Sequence, residues 1–330
     1  MSLHIHKIYN PLAINKKMIK LIAEPRIVKT WKQFCKENPP YSIALDGYVT
    51  GPQRYDNKGP RLNLNHHEGV NRLSTLSTSY QAFIRIKLGL FKRFKENQEE
   101  KAFIYFNHPD QDTSLAIWLL KNHKKVNNKN INPAVLARIE KLVETENLLD
   151  ITFGTYPFNP NSDMMQKTAW IFQPYTDSRI SGKLNFINNK EIENIVNRIL
   201  IRIDNYVNGK GKKIRLDTKY KIIYSGNNWT MIKEIGGHAR AKLFWDGIKA
   251  FVSVEKRQDG KYIYTLGKTA PFIPFPIQRL HERFNKIERI SKKDTDRWGG
   301  GDIIGGSPRE KGSRLKPDEV IKIINNLVNQ

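Results

Sequence analysis

Carboxylate and imidazole side chains, the common protein ligands of divalent metal ions, are concentrated in two short segments of this sequence. Asp110 and Asp112 follow an apolar run and precede a helix-like one, with His108 beside them, and the pair His66 and His67 lies upstream. Two carboxylates this close together form a compact oxygen-donor pair suited to Mg²⁺ or Mn²⁺. The imidazole nitrogens move the preference towards Mn, Fe, Co or Zn. Together, these residues predict a metallohydrolase.

Short apolar strands that alternate with helices would carry these residues. We predict buried strands over residues 41–45 and 102–106, and helices over residues 74–97, 113–122 and 133–149. This alternation is typical of an α/β fold with a largely parallel sheet flanked by helices. Ligands of such sheets bind beyond the carboxyl ends of the strands, where Asp46 and Asp110 would both lie.

The remaining segments suggest two domains. A basic helix, interrupted near Pro25, is predicted over residues 13–37, and a loop over residues 51–60. Further predictions are a buried strand over residues 170–172, an amphipathic helix over residues 189–207, and strands over residues 221–224, 250–254 and 262–266. We therefore predict a metal-binding α/β domain over residues 1–190 and a smaller, glycine- and arginine-rich α+β domain over residues 191–330.

These motifs resemble those of the DHH phosphoesterase superfamily. Residues 109–112 (Pro-Asp-Gln-Asp) are similar to its Pro-Asp-x-Asp motif, and residues 65–67 are similar to its Asp-His-His motif with asparagine in first place. Asp46 resembles the lone bridging aspartate of the superfamily, and residues 150–158 resemble its Asp-Thr-Gly-x-Phe segment. The motif order is rearranged, and Phe106 stands where a histidine is usual.

The resemblance implies a metal-dependent hydrolase. One or two ions, Mn²⁺ or else Mg²⁺ or Co²⁺, would be held by six side chains: Asp46, His66, His108, Asp110, Asp112 and Asp150. It implies catalytic roles for His66, His67 and Asp110, with His67 donating to the scissile phosphate. The expected reaction is hydrolysis of a phosphodiester or phosphoanhydride in a nucleotide, a short oligonucleotide or a polyphosphate.

Two glycine-rich segments in the second half have the composition of an anion-binding site. Glycines let backbone amides approach a phosphate closely, and neighbouring hydroxyl and guanidinium groups supply further donors. The predicted substrate-binding residues are His238, Arg240, Trp298, Ser307, Arg309, Ser313 and Arg314, with Trp298 stacking on a base. Residues 236–238 (Gly-Gly-His) are also similar to the substrate-binding loop of the DHH accessory domain. The alternative is a pair of ordinary glycine-rich turns.

The charge balance favours a phosphate-bearing partner. With 56 Lys and Arg against 32 Asp and Glu, the formal charge is +24 and the isoelectric point about 9.9. Such a surplus suits a polyanion, although AT-rich codon usage also enriches lysine. The alternative functions are a nucleotide- or nucleic-acid-binding protein without a competent metal site, and a metallohydrolase acting on amides.

Cellular location is expected to be the cytoplasm. The N-terminal residues lack the apolar core of a secretory signal, and no stretch is long and apolar enough for a membrane span. A single cysteine, Cys35, excludes an intramolecular disulfide, which agrees with a reducing compartment.

Overall fold

A largely parallel sheet forms from short apolar segments in the first part of the chain. The computed structural model describes residues 19–294 and 296–328. Its first seven strands are β1 (Ile19–Ala23), β2 (Ser42–Ala44), β3 (Arg54–Asp56), β4 (Arg61–Asn63), β5 (Lys95–Glu96), β6 (Glu99–Glu100) and β7 (Ala102–Phe106). Five of these described strands form one sheet in the order β1-β7-β2-β4-β3, in which only β3 is antiparallel to its neighbour. β5 and β6 form a separate hairpin.

Helices cover the first sheet and close its core. They are α1 (Trp31–Glu37), α2 (Thr78–Lys87), α3 (Leu90–Arg93), α4 (Gln111–Lys121), α5 (His123–Val126), α6 (Pro133–Ile151), α7 (Asp163–Ile180) and α8 (Asn189–Val207). Side chains that begin these helices also cap them: Thr30 and Asn188 form capping boxes before α1 and α8. One continuous core joins the strands to α2, α4, α6, α7 and α8. The sheet is therefore buried on its helix-covered side by an extensive apolar layer.

The second unit is a mixed sheet with three helices among the described residues. Its elements are β8 (Tyr220–Ser225), β9 (Thr230–Glu234), α9 (Ala239–Trp245), β10 (Ala250–Lys256), β11 (Tyr262–Lys268), α10 (Ile277–Glu288), β12 (Gly299–Gly300), β13 (Ile304–Gly306) and α11 (Pro317–Val328). The strand order is β12-β13-β11-β10-β9-β8, and only the β9–β10 pairing is parallel. A separate core lies beneath α10 and α11. No helix in the described ranges has both the length and the apolar composition needed to cross a bilayer.

The predicted fold class, α/β with a smaller α+β unit behind it, is confirmed. The division at residue 190 stays a prediction. It falls inside α8, which belongs to the first core and whose Asp204 accepts a hydrogen bond of 3.0 Å from the Trp118 indole of α4. The first unit thus continues to the end of α8.

Several local predictions were wrong. Residues 13–18 lie outside the described residues, and Ile19–Ala23 is a strand paired with β7 rather than part of a helix. The predicted loop over residues 51–60 contains β3. The helix predicted over residues 74–97 is divided into α2 and α3, because the chain turns between them at Gly89, which has a φ of 93°. The aromatic run at residues 170–172 lies in α7, where its burial comes from helix packing instead of a sheet.

One buried hydrogen bond fixes α6 against the start of α2. The Ser77 amide, at the N-cap of α2, donates to Oδ1 of Asn147 over 2.8 Å. Asn147 is buried on α6, next to Glu146 and one turn before Asp150. Because a buried amide group left without a partner is costly, this contact sets the position of α6 relative to α2.

Replacing Asn147 should therefore destabilise the first unit. We expect Asn147→Ala to lower the free energy of unfolding by about 1–3 kcal/mol, because the buried Ser77 amide loses its acceptor. Urea unfolding followed by circular dichroism measures the loss. Asn130→Ala, which changes an exposed side chain, is the matched control. Equal stability of the two variants would contradict the role given to Asn147.

Candidate metal centre

One imidazole nitrogen faces three carboxylate oxygens at the edge of the first sheet. His66 Nε2 lies 2.9 Å from Asp150 Oδ2, 3.3 Å from Asp46 Oδ1 and 3.6 Å from Asp112 Oδ2. The His66 ring is fully buried. Neither of its nitrogens has a partner with hydrogen-bond geometry among the described residues. A nitrogen surrounded in this way by oxygens has the donors that a divalent cation requires.

Parallel strand direction brings these residues together. Asp46 follows β2, residues 65–67 follow β4, and Asp110 follows β7, so all three segments leave the same edge of the sheet. Asp112 lies in the first turn of α4, and Asp150 lies in the last turn of α6. The expectation that Asp46 and Asp110 lie beyond the carboxyl ends of parallel strands is confirmed.

The carboxylate of Asp112 is held by the beginning of α2. Its Oδ2 accepts a hydrogen bond of 2.6 Å from the Thr78 amide, and its Oδ1 accepts one of 2.8 Å from the Ser79 amide. The positive end of the α2 dipole favours this anion. Burial, followed by the negative charges of Asp150 and Asp46, nevertheless raises the pKa of Asp112 to about 7. Positive charge supplied from outside the protein would stabilise the ionised form.

Asp46 is paired with His67. Burial opposes ionisation of Asp46, but the positive His67 ring and contacts with both imidazoles outweigh it, so its pKa lies well below the usual range. The Asp46 carboxylate contacts Nε2 of His67, and the Arg72 guanidinium contacts Nδ1 of the same ring. Since arginine can only donate, the neutral form of His67 carries its proton on Nε2 and donates it to Asp46. His67 is about one-third exposed and faces the adjoining cleft.

Arg72 also fixes Asp150. Its Nη2 donates to the Asp150 backbone oxygen over 2.9 Å and lies 3.2 and 3.3 Å from the two carboxylate oxygens. The guanidinium carbon lies 3.8 Å from the centre of the Phe153 ring. Phe153 has a φ of 53°, a conformation that is unusual for an aromatic residue, and Gly154 continues it with a φ of 75°. The turn after α6 thus places an aromatic face against Arg72.

Asp110 and His108 form a second pair at the opening of the cleft. Asp110 caps α4, with Oδ1 accepting from the Thr113 amide at 2.8 Å, and Oδ2 lies 3.0 Å from His108 Nδ1. His108 packs edge-on against Tyr175. Burial and the charge of Asp46 raise the pKa of Asp110. Its carboxylate keeps a contact with a partly exposed imidazole and lines the same cleft as Asp46.

A fifth carboxyl group, not predicted from the sequence, lies among the other four. Glu146 of α6 is 3% exposed and lines the cleft, and its Oε2 has no hydrogen-bond partner among the described residues. Burial, followed by the negative charges of Asp112 and Asp150, raises its pKa well above the usual range. Glu146 lies four residues before Asp150, at the end of the helix predicted over residues 133–149, and this spacing is the signal that could have indicated it.

The donor set fits a hard or borderline divalent ion. Asp46, His66 and His67 form one group of ligand atoms that lie within 4.8 Å of one another, and His66, Asp112 and Asp150 form another. Three carboxylates and two imidazoles match the preferences of Mn²⁺ or a similar ion better than those of Ca²⁺. The two ring nitrogens of His66, which lack a partner with hydrogen-bond geometry among the described residues, agree with this assignment.

The cleft beside this centre has a wall from the second unit. It has a volume of about 640 Å³. Away from the metal centre its lining includes Arg179 of α7 and, from the second unit, Glu234 of β9 with His238 and Arg240 at the start of α9. Arg179 Nη2 donates to the Gly237 oxygen at 3.2 Å, which joins the two units at this point. Burial, followed by the charge of Arg179, lowers the pKa of His238, which favours the neutral form of this ring.

The sequence matches no protein-family model and no curated protein. The interpretation therefore depends on the residues of the site. The structure brings together all seven residues predicted as catalytic or metal-ligating: Asp46, His66, His67, His108, Asp110, Asp112 and Asp150. Their roles stay predictions. Of the predicted substrate-binding residues, His238 and Arg240 line the cleft.

The other five predicted substrate-binding residues lie elsewhere and are bound within the second unit. Trp298 is 1% exposed between the rings of Tyr264 and Phe284, so it is not available to stack on a base. Glu288 accepts hydrogen bonds from the Trp298 indole, the Ser313 hydroxyl and the Arg314 amide, at 2.6, 2.9 and 2.7 Å. These donors serve an internal carboxylate.

The Ser307 side chain and the Arg309 backbone are likewise hydrogen-bonded within the second unit, and the Arg309 side chain is exposed and does not line the cleft. The buried Ser307 hydroxyl accepts a hydrogen bond of 2.9 Å from the Tyr264 amide. The backbone amides of Arg309, Glu310 and Lys311 donate to the Asp296 carboxylate at 2.7, 3.2 and 2.7 Å. The loop is therefore an anion-binding turn, as its composition indicated, but its anion is Asp296.

Asn65, in the place of the expected aspartate, has a backbone role. Its Oδ1 accepts from the His67 amide at 3.1 Å, and its Nδ2 donates to the Gly51 oxygen at 2.8 Å. An aspartate has no Nδ2 group and could not donate to the Gly51 oxygen. Asparagine thus holds the histidine segment against the loop after β2.

Metal binding should be strongly dependent on pH. Burial lowers the pKa of His66, but contacts with Asp150 and Asp46 outweigh it and raise the pKa to about 10. At neutral pH an ion must therefore displace a proton from this ring. We expect the Mn²⁺ affinity to rise about tenfold per pH unit between about pH 6 and 8, with proton release detected by calorimetry in buffers of different ionisation enthalpy.

His66→Gln is the control for this titration. Glutamine has no proton to release, so the affinity should be lower and its pH dependence shallower. An affinity of the unmodified protein that does not change with pH would contradict direct binding by His66.

Proposed function

We propose that this protein is a divalent-metal-dependent phosphoesterase acting on a small phosphate-bearing substrate. The arrangement of His66 Nε2 among three carboxylate oxygens, in a cleft that Arg179 and Arg240 also line, carries the proposal. The carboxylates suit a cation, and the guanidinium groups of Arg179 and Arg240 suit the phosphate of a substrate. A phosphoester is a substrate class that requires both.

Asp46, His66, Asp112 and Asp150 are the residues that would hold the ion. When bound, a Mn²⁺ ion or a similar cation would neutralise phosphate oxygens and lower the pKa of a water molecule. Two of these metal ligands are already oriented in the protein, because Asp112 is held by two backbone amides and Asp150 by Arg72. Such preorganisation reduces the reorganisation that the reaction would otherwise require.

His67 is suited to hydrogen bonding with substrate or to proton transfer. Its Nε2 contacts Asp46, its Nδ1 contacts Arg72, and its ring is partly exposed in the cleft. Burial lowers its pKa, but the charge of Asp46 outweighs that effect and raises it above the usual value. A raised pKa favours the protonated ring, which fits the proton-donating role that the DHH resemblance implies.

Arg179 and Arg240 would bind the substrate phosphate, and the volume of the cleft would limit the size of the substrate. Arg240 is held by Glu234, whose Oε1 accepts from Nε and Nη2 at 3.1 and 2.9 Å, while Arg179 is exposed. A cleft of about 640 Å³ matches a nucleotide or short oligonucleotide rather than a long polymer. The preference for Mn²⁺ and for a phosphodiester or phosphoanhydride is supported by the resemblance of residues 65–67 and 109–112 to DHH motifs.

A second candidate function is nucleotide or nucleic-acid binding without hydrolysis. The formal charge of +24 favours it, because basic proteins bind polyanions and release counterions. The two functions differ in measurable ways. Binding alone would need no metal and would weaken steeply with salt, whereas turnover of a small nucleotide would require metal and tolerate salt.

The central experiment is hydrolysis of bis(p-nitrophenyl) phosphate and of pyrophosphate, with and without added Mn²⁺. We expect Mn²⁺-dependent turnover that Asp110→Ala reduces by at least about a hundredfold, since it removes a charged group from the acidic side of the cleft. Asp259→Ala, which removes an exposed aspartate of the second unit, is the matched control. Turnover by Asp110→Ala equal to that of the control, or no turnover with any divalent ion, would refute the proposal.

Substrate binding should depend on Arg179. For a nucleotide substrate we expect Arg179→Gln to raise KM about tenfold with a smaller change in kcat, because it removes a cation that faces the substrate and not the ion. Arg198→Gln changes an exposed arginine of α8 and should leave both constants unaltered. If Arg179→Gln lowered kcat and left KM unchanged, the result would contradict this role and place the arginine at the reacting atoms.

A further inference from the structure

A second cavity lies at the opposite end of the first unit from the metal centre. Helices α2 and α4 begin at the metal centre, where the Thr78 amide binds Asp112 and Asp110 caps α4. Their last turns reach the other cavity, which Ile86 and Lys121 line. The 11 residues of α4 separate the two places by about 15 Å. The second cavity has a volume of about 1110 Å³ and shares no lining residue with the cleft.

Lysine is the commonest side chain in the wall of this cavity. The charged residues that line it are two glutamates, Glu99 and Glu100, and five lysines, Lys92, Lys95, Lys121, Lys124 and Lys125. The wall therefore has a surplus of three positive charges. A concave surface with one predominant sign of charge attracts ligands of the opposite sign, so the cavity suits a multiply charged anion.

Three of these lysines have no acidic partner among residues 19–294 and 296–328. Lys95 donates to Oε1 of Gln98 at 3.1 Å and Lys125 to Oδ1 of Asn208 at 3.4 Å, and both acceptors are neutral amides. Lys92 is exposed on α3 and forms no ion pair with a described residue. Their charges are therefore available to a ligand.

The partly buried acid in the wall, Glu100, is already paired and does not oppose an anion. Its Oε2 lies 2.9 Å from Lys124 Nζ and 3.0 Å from His123 Nε2. His123 is buried with its ring stacked on Phe91, the ring centres 3.7 Å apart, and its Nδ1 lies 2.9 Å from the Leu120 oxygen. These contacts fix the buried part of the wall.

A tight hairpin holds Lys95 at the cavity. β5 and β6 are antiparallel, with Lys95 opposite Glu100. The two residues that join them, Asn97 and Gln98, have φ values of 50° and 67°. Positive φ at both central residues is typical of a two-residue hairpin turn, and asparagine adopts it readily. The local sequence thus positions one of the lysines without an acidic partner.

We propose that this cavity binds the phosphate groups of a polyanion, an oligonucleotide strand or an inorganic polyphosphate, at a site separate from the metal centre. Ammonium groups on flexible stems bind phosphates as point charges, and such binding does not depend on base sequence. The cavity is larger than the cleft, which suits a ligand with several phosphates. The inference goes beyond the proposed function and does not depend on it. The competing explanation is a solvated surface that binds no ligand.

Binding of a fluorescein-labelled oligothymidylate of about ten nucleotides to the full-length chain tests the proposal. Fluorescence anisotropy in EDTA measures the affinity without metal-dependent turnover. We expect the double variant Lys92→Gln/Lys95→Gln to bind at least about tenfold more weakly. The slope of log affinity against log salt concentration should become shallower by about 1.4, because two contacts with phosphate are lost.

Lys141→Gln/Lys190→Gln is the matched control. It removes the same charge from exposed positions of α6 and α8 that do not line the cavity, and it should bind like the unmodified protein. Equal affinities and salt slopes of the two double variants would overturn the inference, as would no binding by the unmodified protein. A loss in Arg179→Gln but not in Lys92→Gln/Lys95→Gln would place the strand in the cleft and also overturn it.

Competition with inorganic tripolyphosphate distinguishes the two sources of phosphate. Displacement of the labelled strand by tripolyphosphate, weakened in Lys92→Gln/Lys95→Gln, supports a site for a free polyphosphate. Displacement only by unlabelled oligothymidylate supports a site for a strand. Mn²⁺-dependent hydrolysis of bis(p-nitrophenyl) phosphate should be the same in this variant as in the unmodified protein, because neither lysine lines the cleft. Failure of the proposed function is therefore distinguishable from failure of this inference.

Discussion

Repulsion between buried carboxylates is the constraint on which the edge of the first sheet depends. Three of the carboxylates that the fold places there are each matched by a different structural element. The beginning of α2 neutralises Asp112, the beginning of α4 binds Asp110, and Arg72 pairs with Asp150. Helix ends and strand ends must therefore meet at one place, and the helix positions follow from this requirement as much as from apolar packing. A bound cation completes the same balance from outside the chain.

Much of this arrangement could be predicted from the sequence because it follows from chain direction. The apolar runs before Asp46 and Asp110 indicated two buried strands, and parallel pairing then requires their carboxyl ends to meet. The histidine pair lies at the same edge because it follows β4. This strand has three residues, which is too short for a periodic pattern. Residues 19–23 were misassigned for a related reason, since a five-residue strand becomes evident only through its pairing with β7.

The rest depended on partners that are distant in sequence. The glycine- and arginine-rich loops have the composition of an anion site, but composition does not reveal that Glu288 and Asp296 of the same chain are the anions bound. Arg72 and Glu146 carry no motif, and their importance comes from what surrounds them after folding. Local patterns thus located the acidic side of the cleft, whereas its counter-charges required the tertiary structure.

The left-handed turn at Phe153 has a consequence for how this sequence can vary. A bulky residue with positive φ costs on the order of 1 kcal/mol or more, and stacking on Arg72 returns a comparable amount. Glycine at position 153 would remove the strain together with the ring that holds the guanidinium. A lineage selected only for resistance to unfolding would have little reason to keep the aromatic residue. Its retention is expected where selection acts on the position of Arg72, and variation among descendants at this turn would record which pressure prevailed.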